Sequence, residues 1–218
     1  MSLPIQLLIA YLLGAIPTSV LVGRWTRGID VREHGSGNAG ATNTWRVLGW
    51  KFGVSVLIID MLKGVAAATL APRLLVSLGV TSLDPGTVAV LCGMAAVLGH
   101  VFPVYLRFRG GKGVATAAGM LIATAPIPVG IAVGVFAVVL FTTGRVSVGS
   151  ILGGWTVPIA TLLLHRPDGS AHPPLLIGLT FALACFILYT HRANVRRLVR
   201  GEEKGFAKLQ LWRYIIRR

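Results

Sequence analysis

The sequence predicts an all-α fold: a polytopic membrane helix bundle of about seven transmembrane helices, built by a single domain over residues 1–218. Three observations predict it. Hydrophobic residues make up 54% of the chain and charged residues 13%, where a soluble domain carries about 25% charged. Mean hydropathy is +0.75. The apolar residues also fall in long runs instead of at amphipathic spacing, which fits lipid as the solvent.

The runs lie at 3–23, 52–72, 86–106, 113–125, 128–143, 150–164 and 174–190. The first three and the last approach the roughly 20 residues that cross a hydrocarbon core. No Lys or Arg occurs in the first 23 residues, so the first run reads as a retained span and not as a signal peptide. The fourth and fifth runs are short and separated by Pro126 and Pro128, and charge decides whether they are one span or two. With two, segments 24–51, 103–112, 144–149 and 191–218 share one side and hold 18 of the 21 Lys and Arg residues. Arg73 and Arg166 fall opposite. Merging them would move the basic tail to the other face. The positive-inside rule therefore favours seven spans, with the N-terminus outside and the C-terminus cytoplasmic. Small residues, as in GVAAATLA and GVATAAGM, permit close helix packing.

A net charge of +14 without a soluble basic domain argues against nucleic acid as a partner. It favours attraction to anionic membrane lipid and phosphorylated substrates, with most basic residues of the tail as lipid-facing anchors. Cys92 and Cys185 lie within apolar runs and lack metal-ligand spacing, so both read as buried small hydrophobes, with no metal implied.

Four basic segments carry polar residues suited to chemistry. The first, HGSGNAGATNTWR at 34–46, is a poor helix and a good anion cradle. Gly37 and Gly40 free backbone N–H groups to turn toward a phosphate, Ser36, Asn38, Thr42 and Asn43 add donors, and Arg46 supplies a forked cation. The second, GHVFPVYLRFRGGKGVAT at 99–116, presents Gly110, Gly111, Lys112 and Gly113 just before a helical run, so a lysine and a helix N-terminus can hold one anion. It is not an ATP-binding P-loop, because Gly113 stands where that loop needs Ser or Thr. His100 in this segment reads first as a packing or hydrogen-bonding residue. The third, GRVSVGSI, places Arg145, Ser147 and Ser150 on the same side. The fourth, HRANVRRLVRGEEKG, sets His191 and Asn194 one helical turn apart, so both can face one site. Asp60 and Lys63, spaced i,i+3 inside the second run, are expected to pair and support the first loop.

Together these segments resemble the acyl-phosphate:glycerol-3-phosphate acyltransferase family of bacterial membranes. GSGNAGATNTWR, DMLKG at 60–64, GHVFPVYLRFRGGKGVAT, GRVSVGSI and HRANVRRLVRGEE occur in that order over almost the whole chain. The resemblance implies transfer of a fatty acyl group from acyl phosphate to the 1-hydroxyl of glycerol 3-phosphate, without a cofactor. It also implies a multi-pass protein of the bacterial inner membrane, with its active site on the cytoplasmic face. Carried over residue by residue, it implies a catalytic set of Ser36, Arg46, Lys112, His191 and Asn194. The glycines and polar residues of the first three segments, His100 included, would contact substrate. Acyltransferases using H-x-x-x-x-D are a different class, and no histidine here has Asp at that spacing. The main rival reading is an anion transporter in which the Asp60–Lys63 pair couples protons. One-sided polar segments and the lack of an internal repeat weigh against it.

Overall fold

The computed structural model describes residues 3–76, 83–206 and 209–210, without side-chain placement for 71–76. The side chain of Arg73, and the anchor role expected of Lys208, Arg213, Arg217 and Arg218, lie outside the described residues. Among the described residues the regular structure is helical, and the chain divides into two compact units, Met1–Thr124 and Ala125–Arg218.

The first unit contains α1 (Leu3–Ala15), α2 (Thr18–Arg27), α3 (Ala41–Leu48), α4 (Trp50–Val76), α5 (Pro85–Val101) and α6 (Val114–Thr124). Apolar composition makes these helices, and small residues bring them together. A β-carbon at Gly14 would collide with the Ala96 backbone, which draws α1 against α5. One at Gly64 would collide with the Thr116 carbonyl, which draws α4 against α6. The close packing expected from the small residues is thus present.

Where one uninterrupted first run was expected, the helix breaks at Ile16–Pro17, because proline brings no N–H to continue it. The break frees carbonyls inside a lipid-embedded segment, and Lys63 of α4 satisfies them. Its ammonium donates to Gly14 O at 3.1 Å and Ile16 O at 2.9 Å. It also pairs with Asp60 at 2.8 Å. The expected pair therefore forms, and it supports the break between α1 and α2.

The second unit contains α7 (Pro126–Thr143), α8 (Val146–Leu163), α9 (Pro174–Thr190) and α10 (Arg192–Val199). α8 packs against both α7 and α9. Between α8 and α9 the Thr161 and Thr180 hydroxyls meet at 3.3 Å, and each also bonds a carbonyl of its own helix. Cys92 on α5 is buried as expected, whereas Cys185 on α9 is exposed. A helix immersed in lipid is apolar on every side, so an apolar run does not tell an inward position from an outward one.

Five helical stretches among the described residues are long and apolar enough to cross a membrane: Leu3–Arg27, Trp50–Leu70, Pro85–Leu106, Pro126–Thr143 and Val146–Leu163. Pro174–Thr190 with Arg192–Val199, bent by 57° at His191, makes a sixth if taken as one span. The 11-residue α6 is apolar but rises only about 16 Å, roughly half a hydrocarbon core. Its brevity separates these spans from the seven read in the sequence.

Candidate active site

In the first unit, the polar segment after α2 is organised from within. Gly28, at φ +67°, ends α2 in a left-handed cap whose N–H bonds Arg24 O. Asp30 then caps a 3₁₀ turn, Val31–Glu33, by accepting the Arg32 N–H at 3.0 Å. The Arg32 guanidinium grips the same carboxylate at 2.7 Å and holds it below the usual carboxylate range. Asn43, fully buried on the first turn of α3, uses its whole carboxamide on this segment. Its Oδ1 accepts the Ser36 N–H at 2.7 Å and the Ser36 hydroxyl at 3.1 Å. Its Nδ2 donates to Val31 O at 2.7 Å and His34 O at 3.1 Å. The sequence reading made Asn43 a donor to phosphate; both of its amide protons are instead committed to the loop backbone, which it shapes. Gly35 and Gly37 need φ of +64° and +72°, and a β-carbon at Gly35 would collide with Asn43 Oδ1. Ser36, Gly37 and Arg46 are exposed, Asn38 and Thr42 are half-buried, and Gly40 is buried.

The glycine segment after α5 folds back onto the end of that helix. Gly110 N–H donates to Val101 O and Gly111 N–H to His100 O, each at 3.1 Å. Before it, Arg107 and Phe108 are both left-handed, with φ of 51° and 61°. The Phe108 N–H bonds Pro103 O at 2.9 Å and locks that conformation. Two adjacent strained non-glycine residues mark the approach to Gly110–Gly113. Lys112 is half-buried, two residues ahead of the first residue of α6. The two glycine-rich segments touch: a β-carbon at Gly111 would stand 2.7 Å from Ala39 O and would collide with His100 Nε2. Segments separated by some seventy residues in the chain are therefore parts of one surface. His100 is buried, with Nδ1 3.7 Å from Asp60 Oδ1.

In the second unit, a residue to which the sequence reading gave no role organises the expected ones. Glu203 is buried and accepts from three side chains. Ser147 Oγ donates to Oε1 at 2.7 Å, Asn194 Nδ2 to the same oxygen at 2.6 Å, and Arg197 Nε to Oε2 at 2.7 Å. Burial pushes the Glu203 carboxyl up, but these three bonds and the Arg197 charge outweigh it and hold the group below its usual range. Arg197, expected among the lipid-facing anchors, is thus an internal partner. One polar signal was available: in a chain of seven acidic residues, Glu202 and Glu203 alone interrupt the basic tail.

His191 is buried at the bend between α9 and α10. Its Nδ1 lies 2.8 Å from Ile187 O, and since a carbonyl oxygen only accepts, Nδ1 carries the proton. The lone pair of the neutral ring is then on Nε2, which suits that atom to accept a hydroxyl proton. Ser150 is buried on the second turn of α8, and Arg145 is half-buried at its N-cap. The structure thus brings Ser36 and Asn43 together in the first unit, and Ser147 and Asn194 together in the second.

Residues 4–201 match the family model described as glycerol-3-phosphate acyltransferase. Curated relatives of that name include the protein of Chlorobium phaeobacteroides, 44% identical over 90% of this chain and 93% of its own. The Chlorobium luteolum protein is 43% identical over 93% of this chain and 96% of its own. Among solved structures, the chain resembles PlsY (YgiH), an integral membrane glycerol 3-phosphate acyltransferase in its glycerol 3-phosphate form. The two are 34% identical with a TM-score of 0.81, covering 95% of this chain and 96% of that one. A second structure of PlsY, the lysophosphatidic acid form, matches at a TM-score of 0.80 and 33% identity, over 96% of this chain and 98% of that one. On these grounds, the chain belongs to the glycerol-3-phosphate acyltransferase family.

Proposed function

We propose that this chain transfers a fatty acyl group from acyl phosphate to the 1-hydroxyl of glycerol 3-phosphate, yielding lysophosphatidic acid and inorganic phosphate. Its family and the PlsY structures support glycerol 3-phosphate as the acceptor. The contact of the two glycine-rich segments at Ala39 and Gly111 is the observation that carries the reading. It brings together the two segments that carry the cationic residues Arg46 and Lys112, whose charges suit a phosphate.

An acyl phosphate is a mixed anhydride and already activated, so the protein mainly positions two anions and a developing oxyanion. In the first unit, Arg46 and Lys112 offset phosphate charge. Ser36, Asn38, Thr42 and Gly113 orient it by hydrogen bonds, on a loop held by Asn43. The N–H groups of Gly37, Gly40, Gly110 and Gly111, expected to turn toward phosphate, instead donate to the carbonyls of His34, Asn38, Val101 and His100, so these glycines shape the segments. In the second unit, Arg145 and Ser150 contribute orientation, and Ser147 and Asn194, expected at the substrate, keep the α8 and α10 ends in register through Glu203. His191 Nε2 accepts the hydrogen bond of the attacking hydroxyl. The hydroxyl oxygen attacks the acyl carbon as its proton passes to His191 Nε2 or to a substrate phosphate oxygen, the acyl C–O bond to the leaving phosphate breaks, and the phosphate departs as inorganic phosphate. No cofactor takes part.

The reading extends to placement. The chain acts as one domain over 1–218 in a bacterial inner membrane, with seven spans. The N-terminus lies outside, and the C-terminus and reacting groups are cytoplasmic, as the positive-inside pattern of its basic segments favours.

The test is phosphate release by detergent-purified protein given palmitoyl phosphate and glycerol 3-phosphate, beside Lys112→Ala. Release that depends on the acceptor and is lost in the variant supports the reading. Folded wild type that releases none across several donor chain lengths overturns it.

A further inference from the structure

Behind the glycine segments of the first unit lies a buried polar group that the acyl-transfer chemistry does not use. Asp60, Lys63, His100 and Thr18 are each at most 9% exposed. Asp60 Oδ1 accepts the Thr18 hydroxyl at 2.9 Å and pairs with Lys63 at 2.8 Å, and it faces His100 Nδ1 at 3.7 Å. A charge in a membrane-embedded segment is costly, and this one has its partner on its own helix one turn away. Three of its four members nevertheless come from other helices than the one carrying Asp60, or reach to them. Thr18 opens α2, Lys63 caps the end of α1, and His100 sits in the last turn of α5.

His100 links this group to the glycine segment twice. Its carbonyl accepts the Gly111 N–H at 3.1 Å, and its ring fills the space that a side chain at 111 would need. Gly111 in turn abuts Ala39 of the other segment. A small cavity, with room for about one water molecule, is lined by Thr18, Asp60, His100, Gly110, Gly111 and Ala39 among others. It lies between the charged group and both glycine-rich segments.

We propose that Asp60 and His100 are positioning residues for glycerol 3-phosphate: anchored by Thr18 and Lys63, they fix the Gly110–Gly113 segment, and with it Lys112, in the geometry that receives the phosphate. The proposal rests on the acyltransferase reading for the identity of its ligand. In place of the substrate contact that the resemblance implies for His100, both residues act through the backbone of Gly111 and its contact with Ala39. A rigid segment pays its ordering cost on folding instead of on binding, so loosening it weakens acceptor affinity more than it slows the chemical step.

The test measures KM for each substrate, and the Kd of glycerol 3-phosphate by calorimetry without donor. The proteins are wild type, Asp60→Asn, His100→Ala, His100→Asn and Thr18→Val. Asp60→Asn and His100→Ala are expected to raise the glycerol 3-phosphate KM and Kd about tenfold or more, and the acyl phosphate KM less than twofold. His100→Asn keeps a donor near the Nδ1 position and is expected to recover at least half of the loss on a logarithmic scale. Thr18→Val removes one hydrogen bond to Asp60 and is expected to shift the same constants about threefold, so it decides the matter if Asp60→Asn does not fold. Equal changes in both KM values, a fall in kcat alone, or wild-type constants in the folded variants would overturn the proposal. Wild type that binds glycerol 3-phosphate but transfers no acyl group would defeat the acyltransferase reading while leaving the Kd comparison to judge this one.

Discussion

The carboxamide oxygen of Asn43 accepts both the backbone N–H and the hydroxyl of Ser36, at 2.7 and 3.1 Å. Its nitrogen meanwhile donates to Val31 O and His34 O, so one side chain ties residues 31–36 to the first turn of α3. The glycine-rich stretch, which composition alone would describe as a flexible loop, is therefore held in one conformation.

Asn43→Leu is isosteric in rough outline but strips out all four bonds. Losing the four bonds is expected to cost about 1–3 kcal/mol, although Val31 O keeps the His34 N–H and His34 O the Gly37 N–H. The melting temperature in detergent should fall and acyl transfer should drop by at least tenfold. A variant that melts and turns over like wild type would show that the loop needs no such tie.

Lys63→Met leaves the Asp60 carboxylate buried without its counter-charge, removes the Lys63 donor from the Gly14 carbonyl and leaves the Ile16 carbonyl with the Thr18 N–H alone. Breaking a buried pair on one side costs about 3–5 kcal/mol. Because much of that is the stranded charge, the double variant Asp60→Asn with Lys63→Met should be more stable than Lys63→Met alone. Chemical denaturation in mixed micelles measures the sign, and additive losses would disprove the coupling.

Glu203 titrates below its usual range in the folded protein because Asn194, Ser147 and Arg197 bond its charged form against the opposing effect of burial. A carboxyl with a depressed folded-state pKa binds more protons when unfolded, so its stabilisation is complete above the unfolded value of about 4.3 and is lost as pH falls through the folded one. Glu203→Gln should lower the melting temperature at neutral pH and shallow its decline in that acid window. Parallel curves for the two proteins would remove Glu203 from the acid response.

For His191, the proton on Nδ1 facing Ile187 O leaves Nε2 as the basic atom. Activity should therefore fall at acid pH as Nε2 becomes protonated. His191→Ala should lower kcat by roughly 10²–10⁴, the usual contribution of a positioned acid–base group, and flatten the acidic limb of kcat/KM. A variant that keeps the wild-type acidic limb would assign that titration to a substrate phosphate instead.

Much of the fold and part of the site were legible in the linear chain. The apolar runs foretold the helices from α4 to α9, because hydropathy is a local property that every residue in a lipid-facing run shares. Pro126 and Pro128 correctly separated the fourth and fifth runs, although both lie in the first turn of α7, where proline is tolerated, and not between helices. The break at Pro17 was missed, because the residues around it are as apolar as the rest of the run. The glycine-rich segments stood out because their composition disfavours a helix, and both are non-helical up to α3 and α6.

What the sequence by itself determined is the class of the protein: helices for a bilayer, basic segments between them, and residue types suited to phosphate. These follow from hydropathy, backbone freedom and side-chain chemistry, which each residue carries wherever it sits. The tertiary structure alone decided which polar groups meet. Lys63 reaches carbonyls 47 and 49 positions away, Thr18 finds Asp60 across 42, and Ser147 finds Glu203 across 56. In a low-dielectric interior each such group must have a partner, and packing of the helices, not spacing along the chain, supplies it.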